Sequence, residues 1–223
     1  MKSALLFILL IIASFCIYAQ ELIVRKTTDF ELTGVGDAKE WANTDWTQIP
    51  QRKGQKNYRT EVKMQYSETG IYLLFRCEDE QVTATLQEDF ADLYREDVVE
   101  AFFWTDERFP LYFEYELSPL NKELAILVPN NQGDFMGWRP WKYQGERRTR
   151  HEAAILEDQD WMAEFFIPYQ LLKPLSNVPP TSGSRWRINL YRIDYDEGMT
   201  TWSWKPTRKN FHDYESFGTA VFQ

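Results

Sequence analysis

Carboxylates and aromatic rings crowd together in LYREDVVEAFFW, residues 93–104, where Glu96, Asp97 and Glu100 stand among Tyr94, Phe102, Phe103 and Trp104. Side chains of these two kinds act together on ligands that offer both hydroxyls and apolar faces: the rings cover the faces, and the carboxylates accept the hydroxyl protons. A second acidic pair, Glu114 and Glu116 in YFEYELSP, lies two residues apart in a predicted strand and so projects from one face. That spacing admits glycoside hydrolysis, whose two carboxyls stand about 5–5.5 Å apart for retention and about 6.5–9.5 Å apart for inversion. Asp97 with Glu100 is no stronger as a catalytic pair. Two solvated acids on a wet strand face account for Glu114 and Glu116 equally well.

Other reactive residue types are sparse. His151 and His212 are the only histidines, far apart in sequence, which gives a nucleophilic triad or a histidine-rich zinc site little support. Cys16 and Cys77 are the only cysteines. Glu78-Asp79-Glu80 could supply oxygen ligands to calcium, but no full spacing pattern appears, so no cofactor is expected and calcium stays open. Among the nine tryptophans, Trp41, Trp46, Trp161 and Trp186 sit in core patterns. Trp138 and Trp141, in GWRPWK, stand instead in a stretch with Gly133, Gly137 and Pro140, beside Arg139 and Lys142, where loop aromatics could widen a binding platform. Trp202 and Trp204 alternate before Lys205-Pro206, so one of them is expected to face a site.

The elements that must position these groups begin after a leader. MKSALLFILLIIASFCIYA carries Lys2, an apolar run from Ala4 to Ile12 and smaller residues ending at Ala19. That reads as a secretory signal peptide, residues 1–19, cut before Gln20 and too short for a membrane span. A lipid anchor at Cys16 is the lesser alternative, because Phe15 occupies the position that should be small. No later segment is apolar enough to cross a bilayer. Cleavage leaves Cys77 without a partner, which excludes an internal disulfide. With 25 basic against 34 acidic residues the formal net charge is −9, and loss of Lys2 makes it one unit more negative. An acidic, exported chain is a poor partner for nucleic acid or anionic membranes.

Residues 20–223 read as one domain, with no linker, repeat or low-complexity tract. Val62, Met64 and Tyr66 alternate with Glu61, Lys63 and Gln65, which predicts a strand wet on one side. A turn at 67–70 follows, with Gly70 free to take a positive φ. The chain returns with Leu73, Phe75 and Cys77 on one face, so the thiol should be buried. Further strands are predicted at 98–104, 111–117, 124–128, 152–156, 161–167, 186–193 and 219–222, one helical turn at 168–172, and loops at 130–145 and 175–184. The spacing suits an all-β, immunoglobulin-like sandwich of two antiparallel sheets.

Seven pieces then fall into a known order: GDAKEW, VKMQYSETGIYLLFRCEDE, YREDVVEAFF, YFEYELSP, WMAEFFIPYQLL, GSRWRINLYRI and FHDYESFG. Together, over nearly the whole mature chain, they resemble the family 9 carbohydrate-binding modules and their DOMON-like relatives, sandwich domains of secreted bacterial proteins. The resemblance implies non-catalytic binding of a poly- or oligosaccharide outside the cytoplasm, a terminal sugar lying between two rings. Those rings correspond to Tyr94 and Phe211, both narrower than the tryptophans expected there. The acid that accepts hydroxyl hydrogen bonds corresponds to Glu100, and a basic residue of the next strand falls near Glu116, so that contact is lost or supplied elsewhere. Arg208, Asn210 and His212 surround the second ring, and Trp138 and Trp141 could extend the platform. Two alternatives stay open: a glycosidase on the same scaffold using paired carboxylates, and a haem-binding DOMON-like protein using Met64, Met136, Met162, Met199 or His212.

Overall fold

The computed structural model describes residues 21–131 and 134–223. The leader with its cut site, Cys16, Gln20 and Gly133 lie outside the described residues. The strands, in chain order, are β1 (Leu22–Lys26), β2 (Thr47–Gln48), β3 (Gln51–Lys53), β4 (Thr60–Tyr66), β5 (Gly70–Cys77), β6 (Val98–Trp104), β7 (Leu111–Leu117) and β8 (Glu123–Asn131). They continue as β9 (Asp134–Phe135), β10 (Arg139–Pro140), β11 (Arg150–Ile155), β12 (Trp161–Pro168), β13 (Arg185–Asp194), β14 (Thr200–Ser203) and β15 (Gly218–Phe222). The one α-helical turn is α1 (Tyr169–Leu172), among the described residues.

One sheet runs β10-β8-β7-β6-β13, with β15 and β14 sharing the far edge of β13 and β3 added to β14. The other runs β4-β5-β12-β11, with β2 on β4. β1 joins them: Leu22, Ile23 and Val24 pair with β15, and Arg25 and Lys26 with β4, parallel in both cases. The expected antiparallel pairing therefore holds between the other named strands and fails only at this junction.

The sheets face each other across the main core, where the rings of Tyr115 in β7 and Phe165 in β12 approach to 4.8 Å. Successive side chains of a strand point to opposite faces. Val99, Ala101 and Phe103 of β6 and Phe113, Tyr115 and Leu117 of β7 therefore enter this core. Burying a ring such as Phe103 contributes about 1.5–3 kcal/mol. Glu100 and Phe102, Glu114 and Glu116 point the other way, out of the sandwich.

Two expectations for the first hairpin are corrected. The second face of β4 is not wet, because segment 30–48 folds across it. Lys63 Nζ donates to the Trp41 carbonyl, Gln65 Nε2 donates to the Glu40 carbonyl and Thr44 Oγ1, each at 2.8 Å, and Phe30, Trp41 and Tyr72 pack there. Gly70 has no positive φ. Glycine is needed because a Cβ would run into the Ile167 carbonyl oxygen and the Phe166 ring of β12. Cys77 is buried with Leu73 and Phe75, as expected, and burial pushes its thiol pKa up to about 12.

Candidate functional site

On the outer face of the β6-β7-β13 sheet lies a cleft of about 660 Å³, within the range of ligand sites. Strand register lays its floor in rows. Across one row run Leu124, Glu116, Glu100 and Tyr191; across the next run Ile126, Glu114, Phe102 and Asn189. Three carboxyls thus occupy adjacent positions of one sheet face. Glu100, Glu114 and Glu116 are 2%, 3% and 1% exposed, which corrects the solvated reading of the last two.

Three segments wall the cleft. The first is a 3-10 turn, Leu93–Arg95, which presents the Tyr94 ring. It divides the acids of the opening motif by role. Glu96 accepts the amides of Thr85 and Leu86, and Asp97 accepts those of Thr83 and Tyr195, so both fix the backbone while Glu100 lines the cleft. The second wall carries Phe135 of β9 and Trp138. The third is segment 206–212. Its Phe211 ring lies on Tyr191 at 4.1 Å, and its Phe211 carbonyl accepts the Tyr191 hydroxyl at 2.8 Å. Arg208 is clamped by both oxygens of Asp213 and by Glu215, and Asn210 Oδ1 accepts the His212 amide. The Arg208 hydrogen bond holds the Asp213 carboxyl well below its usual range.

His212 is packed rather than free. Its ring stacks on Phe135 at 4.3 Å, its Nδ1 lies 2.6 Å from the Tyr112 hydroxyl and 3.6 Å from Glu114 Oε2, and burial lowers its pKa to about 4. The imidazole is therefore neutral at pH 7, and its Nδ1 shares a hydrogen bond with the tyrosine hydroxyl.

Burial drives all three floor carboxyls toward the protonated form. Glu116 is pushed up to about 8, by burial first and by Asp92 to a lesser degree, against hydrogen bonds from Glu114 and the Tyr94 backbone. Glu100 is raised well above the usual range by burial and by Glu116; Glu114 is raised by burial, Glu100 and Glu116. Oε2 of Glu114 and Oε2 of Glu116 have no hydrogen-bond partner among the described residues.

Of the residues singled out in the sequence, Tyr94, Glu100, Trp138, Arg208, Asn210, Phe211 and His212 border this one space. Trp141 does not: its ring packs against the main core and its Nε1 donates to the Leu171 carbonyl. Trp202 and Trp204 also turn into the core, so Thr201 and Ser203 of the same strand face the cleft instead. Sequence reasoning missed Phe135, Arg52 and Lys53 on the rim, and named Met199, which also stands there, only for haem. Phe135 carried a usable signal, standing three residues before Trp138 in the same aromatic segment.

Calcium finds no fit at the residues named for it. Asp79, Asp97 and Asp194 bring carboxylate oxygens within 4.8 Å of one another, an all-oxygen set that suits a hard cation. The chain has already filled it. Arg192 Nη2 lies 3.0 Å from Asp79 Oδ2 and 2.6 Å from Asp194 Oδ2, and Asp97 is held by two amides. Glu78 accepts the Arg59 amide, and Glu80 meets Lys56 at the surface. The methionines named for haem are dispersed: Met64 and Met162 are buried in different clusters, and Met136 and Met199 are exposed. Among the described residues no helix is long and apolar enough to cross a membrane.

No protein-family model matches the chain. An "Extracellular protein" of Arthroderma benhamiae is 25% identical over 179 residues, covering 74% of this chain and 78% of that one. A crystal structure of a candidate carbohydrate-binding protein from Bacteroides uniformis superposes with a TM-score of 0.75 at 16% identity, over 92% of this chain and 99% of that one. A family 9 carbohydrate-binding module from Caldicellulosiruptor kristjanssonii, in complex with cellotriose, gives 0.69 at 14% identity, over 92% and 94%. Its glucose complex gives 0.68 at 15%, over 92% and 96%. The chain thus has the β-sandwich fold of the family 9 carbohydrate-binding modules.

Proposed function

We propose that this protein binds a poly- or oligosaccharide without chemical change, in the cleft above β6 and β7, as a single domain working outside the cytoplasm. The observation that carries the reading is the meeting of flat ring faces, from Tyr94, Phe211 and Trp138, with buried carboxyls, from Glu100, Glu114 and Glu116, around one open space. Sugars present apolar C–H faces and hydroxyls at once, and this lining answers both. The sugar complexes of the Caldicellulosiruptor module agree with it, and the leader and the name of the Arthroderma relative agree with export. Tyr94 and Phe211 act as ring platforms, Glu100 as hydroxyl partner, and Asn210, Arg208, His212 and Trp138 as further contacts.

Catalysis is the poorer reading on physical grounds. A glycosidase separates its two carboxyls across the scissile bond and drives their pKa values apart. Here all three lie on one sheet face and are shifted in the same direction. A glycan array on the purified protein tests binding, and a reducing-sugar assay on each bound polysaccharide tests catalysis. Binding with no sugar released is the expected pair of results; an empty array sinks the proposal.

A further inference from the structure

We propose that the cleft selects a sugar bearing a free, protonated amino group, seated over Glu114 and Glu116. The inference rests on the carbohydrate reading above and narrows it. The two carboxyls lie on the floor of the cleft, buried, each with an Oε2 that lacks a donor among the described residues. A hydroxyl of a neutral sugar brings one proton donor and no charge. An ammonium brings three donors and a positive charge, which draws the floor carboxyls back to their ionised form as it docks, each proton passing to solvent, and bonds from charged donors to carboxylates are the stronger kind.

The protein does not place a cation there itself. The charges acting on the three floor carboxyls are acidic ones, from one another and from Asp92. His212, the nearest basic ring to Glu114, is engaged by the Tyr112 hydroxyl. Arg208 is committed to Asp213 and Glu215, and Arg52 to Ser203 and the Trp204 carbonyl. Lys53 and Lys209 stand exposed on the rim. A metal ion fits less well, because the triad whose ligand atoms gather within 4.8 Å is the aspartate cluster of the interior, not these glutamates. The surrounding rings suit the same ligand, since aromatic faces attract cations as well as sugar C–H faces.

The test uses an array carrying neutral, N-acetylated and free-amine glycans. Calorimetry at pH 7 follows with three trisaccharides that differ only at C2: cellotriose, its 2-acetamido analogue and its 2-amino analogue. The 2-amino form should bind at least about tenfold more tightly than the other two, as a charged hydrogen-bonded contact allows. Glu114→Gln and Glu116→Gln should abolish that preference with the thermal transition intact. Should either variant fail to fold, loss of the preference on adding salt to the wild-type protein gives the same evidence. Equal or tighter binding of cellotriose overturns the inference and leaves the carbohydrate reading standing. A preference that persists in both glutamine variants overturns the placement, and a protein that binds no glycan overturns both proposals.

Discussion

Two acidic triads meet on β6 and its surroundings, one from Asp97 just before β6, Asp194 at the end of β13 and Asp79 just after β5, the other from Glu100 of β6 and Glu114 and Glu116 of β7, and the protein treats them in opposite ways. Asp79, Asp97 and Asp194 are closed from within: the fully buried Arg192 reaches two of them, lies 4.7 Å over the Trp202 ring, and backbone amides hold the third. Glu100, Glu114 and Glu116 are equally buried, yet line the cleft, and one buried oxygen of Glu114 and one of Glu116 have no hydrogen-bond partner among the described residues. Burial raises the pKa of acids in both sets, Asp79 to about 6, Asp97 to about 7 and Glu116 to about 8. The lesson is that buried carboxyls alone do not mark a site. What marks one is a set that the chain leaves incomplete where a ligand can enter.

Removing the internal cation should have the largest effect. Arg192→Met leaves the aspartates without their counter-charge, which typically costs about 3–5 kcal/mol and, in a chain of this size, lowers the melting temperature by about 10 °C or more. An unchanged melt would mean that the aspartates are held some other way and would dissolve the contrast.

The open triad should show itself in the pH dependence of stability. An acid whose folded pKa is raised binds its proton more tightly when folded, so stability is highest below the unfolded pKa and falls as pH rises toward the folded one. For Glu116 the window runs from its usual 4.5 to about 8. Asp79 and Asp97 act in the same direction, so the difference between wild type and Glu116→Gln removes their contribution and reads Glu116 together with the part of the Glu100 and Glu114 shifts that it causes. Denaturant melts should show the variant gaining on the order of 2 kcal/mol relative to wild type between pH 5 and pH 8. Parallel curves would place Glu116 in contact with water.

Ring contacts come next. Phe211→Ala should weaken sugar binding about tenfold, the worth of a stacked ring, with a smaller change in melting because Tyr191 stays buried. Trp141→Ala should leave affinity unchanged, since that ring lies outside the cleft, and calorimetry with one ligand compares the two variants directly. A weaker Trp141→Ala binder would extend the site beyond the walls described.

β6 and β7 were readable residue for residue because their alternation is local, and Cys77, Trp161 and Trp186 declared themselves as core on the same ground. Glu114 and Glu116 were misread because a sequence pattern equates an acid with water, whereas their burial is decided by the distant segments that wall the sheet. β3, β9 and β10 are two or three residues long and exist only through pairing with β14 and β8. Periodicity cannot show such strands, and with them went Phe135, Arg52 and Lys53. Trp202 and Trp204 alternated as expected, but which face met the core depended on the register of β14 against β13.

The double pairing of β1 bears on how the molecule is made. Leu22, Ile23 and Val24 find their partners at Ala220, Val221 and Phe222, across almost the whole described chain. Contacts of such span close a very long loop and are rewarded only after that entropy is lost, which makes them late events in folding. On the ribosome the seam between the sheets cannot close until β15 has emerged. The pairing of Arg25 and Lys26 with Gln65 and Tyr66 of β4 spans a far shorter loop and can form before that.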